Sequence, residues 1–285
     1  MIVRLLLLLL ITHTSQHLHA ESSYWDAGLV KSYVHHSDLQ RRWAMSFLAP
    51  HLKSLNGNEE ILDIGCGDGK ITADISKFVP AGSIVGIDIS TSMINWAQKQ
   101  YHKNEYPNLT FKTGSFLESK QGPFDLIISF CALQHCTDQQ AVLSKVGQDL
   151  KSNGKLLILV PLMNNNEAWN QARSIVQKSP EWKEYWKNFS PRKFLTPQSY
   201  VELLAQSNLK AISVEAVNTV DPFVNKDEIL DWLEGTFPPL VPKERVREFY
   251  SQWIEEYIKL DPSAISIEGV IYAKLGYICI EATLE

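Results

Sequence analysis

Cysteine is scarce in this chain, with four in 285 residues, and the four do not stand in a metal-binding pattern. Cys66, Cys131, Cys136 and Cys279 lack the paired spacings of zinc sites, so no metal is expected and small, buried thiols are their expected role. Long basic stretches are missing too. Arg41-Arg42 and Arg192-Lys193 are short pairs in a chain of net charge −5 and isoelectric point near 5.9, which disfavours nucleic acid as a partner. The longest apolar block, near the amino terminus, is too short for a stable membrane span. His13, His17, His19, His35 and His36 suggest a metal tract at first sight, but three of them fall in a leader-like segment and a solvated role is expected. There is also no obvious catalytic dyad. Nothing in the pattern sets the oligomeric state.

What is present suits one enzyme-sized unit. A hydrophobic fraction of 45% with 21% charged residues allows a full α/β core and excludes disordered and fibrous classes. Residues 1–20 hold Arg4, an apolar block from Leu5 to Ile11, and Leu18-His19-Ala20 before Glu21, the layout of a cleavable secretory signal. That reading expects a secreted, periplasmic or luminal protein. A retained anchor, or a misassigned start on a cytoplasmic protein, are the alternatives. Asn108-Leu109-Thr110 is a formal glycosylation sequon that matters only on a eukaryotic secretory route.

The densest signal runs from Glu60 to Thr72, EILDIGCGDGKIT. Ile61, Leu62 and Ile64 suit a buried parallel strand, and Gly65, Gly67 and Gly69 permit a tight turn with backbone amides close to a ligand. A dinucleotide loop would read GxGxxG. Here the order is DxGxGxG, which places the Asp63 carboxylate beside a loop that should receive something cationic. A second apolar strand, from Ser83, ends in Asp88, an acid placed to accept both hydroxyls of a ribose, with Ile89 beside it. Asp88 could instead cap the helix from Thr91 to Tyr101, although Ser90 fits that role better. A third strand leads from Leu109 to Ser115 and Phe116, and a fourth runs from Phe124 to Phe130 and on to His135. Strands alternating with helices predict a doubly wound parallel sheet, with Asp63, Asp88, Ser115 and Phe130 at the carboxyl ends where ligands bind.

These segments resemble the motifs of class I S-adenosylmethionine-dependent methyltransferases. The resemblance implies a Rossmann-like, mostly parallel seven-stranded α/β sheet with an antiparallel last strand, and S-adenosyl-L-methionine as cofactor. On the matching positions it implies contacts from Asp63, Ile64, Gly65, Cys66, Gly67, Asp88, Ile89, Ser115, Phe116 and Phe130. Ser115 departs from the pattern, because many family members carry an Asp there that accepts from the adenine amine; backbone groups of Ser115 and Phe116 are the alternative contact. Lys151-Ser152-Asn153-Gly154 replaces the family's Pro-Gly-Gly turn, and Gly154 is expected to hold a positive φ.

The flanking segments narrow the resemblance. YVHHSDLQRRWAMSFL is similar to the amino-terminal lid of trans-aconitate and juvenile hormone acid methyltransferases, which implies that Tyr33 and Gln40 approach the methionine part of the cofactor; Tyr33 as plain core is the alternative. The stretch from Asp227 through Leu240, with a helix from Glu244 to Leu260, is similar to the same group's helical cap. The expected organisation is a leader over 1–20, a lid over 21–56, a methyltransferase core over 57–220, a cap over 221–265 and a final core strand over 266–285. Trp169, Trp182, Trp232 and Trp253 are candidate pocket walls or core.

The implied reaction is O-methylation of a small-molecule carboxylic acid, since a carboxylate is ionised at neutral pH and needs no general base. For a phenol, amine or hydroxyl acceptor, His135 is the placed base, with a structural or orienting role as the alternative. A protein that binds the cofactor without transferring its methyl, such as a secreted effector, is the second reading.

Overall fold

A computed structural model describes residues 29–119, 122–162, 167–187, 194–237 and 240–285. The leader-like segment, Tyr24, Trp25, Phe189 and the Arg192-Lys193 pair lie outside the described residues.

The described residues begin with two helices, α1 (Leu29–His36) and α2 (Asp38–Leu52), and then enter the alternating part. There β1 (Glu60–Ile64), α3 (Lys70–Ser76), β2 (Ser83–Asp88), α4 (Thr91–Gln100), β3 (Leu109–Thr113), β4 (Phe124–Phe130), α5 (Gln139–Asp149) and β5 (Leu150–Pro161) follow in order. Helices α6 (Glu167–Lys178), α7 (Lys183–Trp186) and α8 (Pro197–Ala205) lead to β6 (Leu209–Phe223). Helices α9 (Lys226–Thr236) and α10 (Val246–Leu260) then separate β6 from β7 (Ile271–Leu284).

The seven strands form one sheet in the order β3-β2-β1-β4-β5-β7-β6. All pairings from β3 across to β5 are parallel, while β7 runs antiparallel to both neighbours. This is the Rossmann-like mixed sheet that the sequence implied. Alternation along the strands divides the core between two faces, as a pleat requires. Ile61, Leu126 and Ile128 pack with the lid, α6, α9 and α10, whereas Leu62, Ile127 and Leu156 pack with α5 and α8. Asp63 shares the first face with Ile61, which aims its carboxylate toward α3.

Local chemistry sets the helix starts. Ser90 accepts from Met93 N at 3.2 Å, Asp138 from Ala141 N at 2.8 Å, Thr196 from Ser199 N at 3.1 Å and Asn225 from Glu228 N at 2.9 Å, each satisfying an otherwise unpaired first-turn amide. Ser90, not Asp88, is therefore the cap of α4. The antiparallel pair of β6 and β7 runs past residue 220. Asp221 and Phe223 are still paired, with Ala273 and Ile271, and a 3₁₀ turn over Lys243–Arg245 precedes α10.

Gly154 corrects the reading of its turn. It does not appear among the positive-φ glycines; β5 instead begins at Leu150 and bulges against β4. A side chain is excluded there by space, since a Cβ would lie 2.8 Å from both Phe124 O and Leu150 Cγ. The Asn108 amide of the sequon donates to Ser76 O and Val79 O, both at 2.8 Å, so it is already built into the fold. Among the described residues no helix is long and apolar enough to cross a membrane, and no His, Cys, Asp and Glu cluster could hold a metal.

Candidate active site

The carboxyl ends of the parallel strands open into a cavity of about 260 Å³. The strand order gives it two sides: β1, β2 and β3 supply one, β5 and β7 the other, and the exit of β4 lies between them. Ile64, Gly65, Gly67, Asp88, Ile89, Ser115 and Phe116 wall the first side, with Tyr33 and Gln40 of the lid. Phe130 and His135 mark the β4 exit. A recess of about 20 Å³ is walled by Asp63 and Cys66 and shares Tyr33, Gln40, Gly65 and Phe130 with the main cavity. The residues that the resemblance implied for the cofactor, and His135, thus lie at the cavity or its recess.

The glycine loop is shaped by a close approach. Gly65 has φ 75°, and a Cβ on it would sit 2.2 Å from Ala132 Cβ, so no side chain fits between β1 and the β4 exit. Its N–H and that of Cys66 donate to Ile87 O at 2.8 and 3.2 Å, bending the loop over β2. Gly67 N–H then donates to Asp88 Oδ2 at 2.9 Å, while Ser90 N–H donates to Asp88 Oδ1 at 2.8 Å. Both carboxylate oxygens of Asp88 therefore keep lone pairs for a further donor.

Three acids surround this loop. Asp63, 3% exposed, accepts from Thr72 Oγ1 at 2.6 Å; burial still pushes its carboxyl up to about 7. Burial raises Asp88 and Asp68 as well, with the neighbouring acids adding to it. A buried acid held against ionisation in this way is stabilised by an arriving cation. Tyr33 stands over the loop, its ring 3.7 Å from where a Gly67 Cβ would be, and its phenol is raised well above the ordinary range by burial.

The lid is tied to α3 by charge. Lys70 Nζ donates to Val34 O, to Ser37 Oγ at 3.0 Å and to Asp38 Oδ1 at 3.1 Å, while Ser37 Oγ donates to Asp68 Oδ2 at 2.9 Å. Arg41 pairs with Asp74 at 2.6 Å. Asp68 and Lys70 were not legible as site residues, although both stand inside the DGKIT run. Cys131, the first residue beyond β4, holds φ 52°, a rare conformation for a residue with a side chain, and donates its N–H to Leu159 O at 2.7 Å. Burial pushes its thiol up to about 12.

The second side is aromatic. Trp43, Trp169, Trp232 and Phe237 wall it, with Lys274 and Gly276 of β7. Trp43 was not among the candidate wall residues; its three-residue spacing from Gln40, which puts both on one helix face, was the available signal. Trp182 and Trp253 are core instead of wall. Trp182 Nε1–H donates to Gln252 Oε1 at 2.7 Å, and Trp253 Nε1–H to Trp169 O at 3.0 Å.

A glycine cradle, a ribose-type acid and buried carboxylates fit a nucleoside-bearing cation, and comparison with known proteins agrees. The family model described as "methyltransferase domain" matches residues 55–223. Trans-aconitate 2-methyltransferase of Deinococcus radiodurans is 30% identical over 190 residues, 64% of this chain and 70% of its own. Juvenile hormone acid O-methyltransferase of Bombyx mori is 24% identical over 242 residues, 78% of this chain and 84% of its own. In fold, the geranyl diphosphate C-methyltransferase of Streptomyces coelicolor A3(2), solved with S-adenosyl-L-homocysteine, superposes with a TM-score of 0.53 at 12% identity, covering 86% of this chain and 79% of that one. The chain belongs to the methyltransferase-domain family and is a class I S-adenosylmethionine-dependent methyltransferase.

Proposed function

We propose that the enzyme O-methylates the carboxylate of a small organic acid. The observation that carries this reading is the cavity itself: a donor side of acids and backbone amides meets an aromatic acceptor side across the β4 exit. The names of the two relatives, which refer to trans-aconitate and juvenile hormone acid, support the acid class.

When bound, S-adenosyl-L-methionine supplies a methyl group on a positively charged sulfur, ready for displacement by an oxygen nucleophile. Asp88 is suited to the ribose hydroxyls, the Ser115-Phe116 turn with Ile89 to the adenine, and Asp63, Gly65, Gly67, Tyr33 and Gln40 to the methionine part. Phe130, His135 and Cys131 border the place where the two sides meet. The chain's task is to hold the acceptor in line and keep water out. Its apolar walls also favour the reaction energetically. With the cofactor bound, the low-dielectric walls would penalise separated carboxylate and sulfonium charges more than an arrangement in which they cancel. No residue has to take a proton from a carboxylate. An acceptor hydroxyl would need one to do so, and His135, which lines the cavity, is the candidate base for it.

The test uses methyl-labelled cofactor and a panel of mono-, di- and tricarboxylic acids. The expected product releases its label as methanol on mild alkaline hydrolysis, as an ester does. Label in an alkali-stable product, or cofactor binding without turnover of any acid, would overturn the reading, the latter in favour of a non-transferring binder.

A further inference from the structure

Four buried side-chain polar atoms without a hydrogen-bond partner belong to residues walling the cavity: Gln40 Oε1, Gln134 Oε1, Trp43 Nε1 and Trp232 Nε1. Two are acceptors. The other two are indole N–H donors on the aromatic side, one from the lid and one from the cap, in residues 7% and 4% exposed. A desolvated donor left unpaired costs roughly 1–3 kcal/mol, so two in one cavity wall call for a partner. Two tryptophans of the core, Trp182 and Trp253, do have one.

We propose that the Trp43 and Trp232 N–H groups grip the acceptor's carboxylate, and that the acceptor is an apolar monocarboxylic acid. The inference rests on the carboxylate reading above and goes on to name the anchor and the substrate class. Charge favours one carboxylate over several. Lys274 and His135 are the only basic residues in the described wall, and the Lys274 ammonium is already held by Asp261 at 2.5 Å and Ser263 Oγ at 2.8 Å. Second and third carboxylates would be buried among aromatic rings without a free cation. Neutral donors also suit the chemistry, because they orient the carboxylate while leaving its charge on the attacking oxygen. Both N–H groups are shut off from water in the ligand-free protein, so uptake of the acid includes a turn of each ring against its neighbours, Tyr277 beside Trp43 and Phe223 and Phe237 beside Trp232.

The eight tryptophans allow a direct test by indole ¹⁵N–¹H spectra, with Trp43→Phe and Trp232→Phe giving the assignments. The protein is saturated first with S-adenosyl-L-homocysteine, then titrated with decanoate or, separately, citrate. Decanoate is expected to move the Trp43 and Trp232 resonances downfield, leaving those of Trp182 and Trp253 in place. Each Phe variant should raise the decanoate KM by about 10–100-fold and leave the affinity for S-adenosyl-L-homocysteine within about twofold. Benzothienylalanine at either position keeps the ring volume without the N–H and covers the case of a Phe variant that does not fold. Decanoate methylated with both resonances unmoved would mean that the N–H groups serve neighbouring ring faces; the anchor would fall and the carboxylate reading stand. Movement with S-adenosyl-L-homocysteine alone would reassign both donors to the cofactor, and turnover of citrate without decanoate would overturn the apolar class. If no acid is bound or methylated, the carboxylate reading fails and takes this inference with it.

Discussion

On the glycine-loop side of the cavity, apart from Tyr33 and Gln40 of the lid, the wall comes from β1, β2, β3 and the turns that leave them, within one continuous stretch of chain. On the aromatic side it comes from α2, α6, α9 and β7, drawn from opposite ends of the sequence. The first side recognises through backbone amides and carboxylates whose positions follow from strand ends. The second recognises through side-chain shape. A cofactor shared across a family is matched by geometry that the sheet fixes, whereas an acceptor that differs between members is matched by packing that can vary without disturbing the sheet.

The separation is broken most severely at Gly65. Its substitution by Ala places a methyl group 2.2 Å from Ala132 Cβ on a backbone of φ 75°, and neither the loop nor the β4 exit can move without the other. Gly65→Ala should lower affinity for S-adenosyl-L-homocysteine by at least about 100-fold in calorimetry and destabilise the fold by about 1–3 kcal/mol. Affinity kept within threefold would show that the loop does not shape the donor side. Asp88→Ala comes next. It removes the acceptors of Gly67 N–H and Ser90 N–H and the group suited to ribose, so binding should weaken by about 10–100-fold while the KM of the acid stays within about twofold. A large change in that KM would mean that the two sides are one site energetically.

Asp63 gives a smaller effect with a distinctive sign. Its carboxyl titrates near 7 in the folded, ligand-free protein, against 3.8 for a free side chain. Between about pH 4 and 7 the folded protein therefore keeps a proton that the unfolded chain has lost; its stability falls as pH rises through that window and levels off above it. Affinity for the cationic cofactor should run the other way, rising toward pH 7 as the carboxylate forms. Asp63→Asn keeps an acceptor for Thr72 and should raise the melting temperature at pH 8 while weakening cofactor binding by about tenfold, with both pH slopes flattened. A wild-type melting temperature that climbs between pH 5 and 7, with no such climb in the variant, would sink this assignment.

The two sides also differ in how far the sequence revealed them. The donor side was legible because its signals are local: buried apolar strands, an acid at the ends of β1 and β2, and glycines where the chain must turn. Gly154 shows where that logic fails, since the same residue serves positive φ and close approach, and only the contact with Phe124 O and Leu150 distinguishes them. The acceptor side was legible as composition but not as geometry. Four tryptophans were candidates for the wall, yet Trp182 and Trp253 turned into the core beside Gln252 and Trp169 O, and Trp43 entered the wall from the lid. Helical periodicity tells which face is apolar. It does not tell which apolar residues meet a neighbour and which meet a cavity, because that depends on how α2, α9 and α10 dock.

Ser115 tests the smallest difference, one position at which this donor side departs from its family. It follows β3, precedes the 3₁₀ turn Phe116–Glu118, and makes no side-chain bond to that turn. An Asp there would gain an acceptor for the turn's first amides and for an amine on the adenine edge, each a favourable contact. It would also place another carboxylate beside Asp88, whose backbone carbonyl accepts from Gly114 N–H and whose carboxyl burial already holds against ionisation, and this repulsion offsets part of the gain. Ser115→Asp should therefore tighten S-adenosyl-L-homocysteine by only about 2–5-fold, with the acid's KM unchanged. Because the gain needs an exocyclic amine, the inosine analogue of the ligand should bind wild type and variant alike. Equal tightening for both ligands would place the benefit in the turn and leave the adenine to the backbone of Ser115 and Phe116.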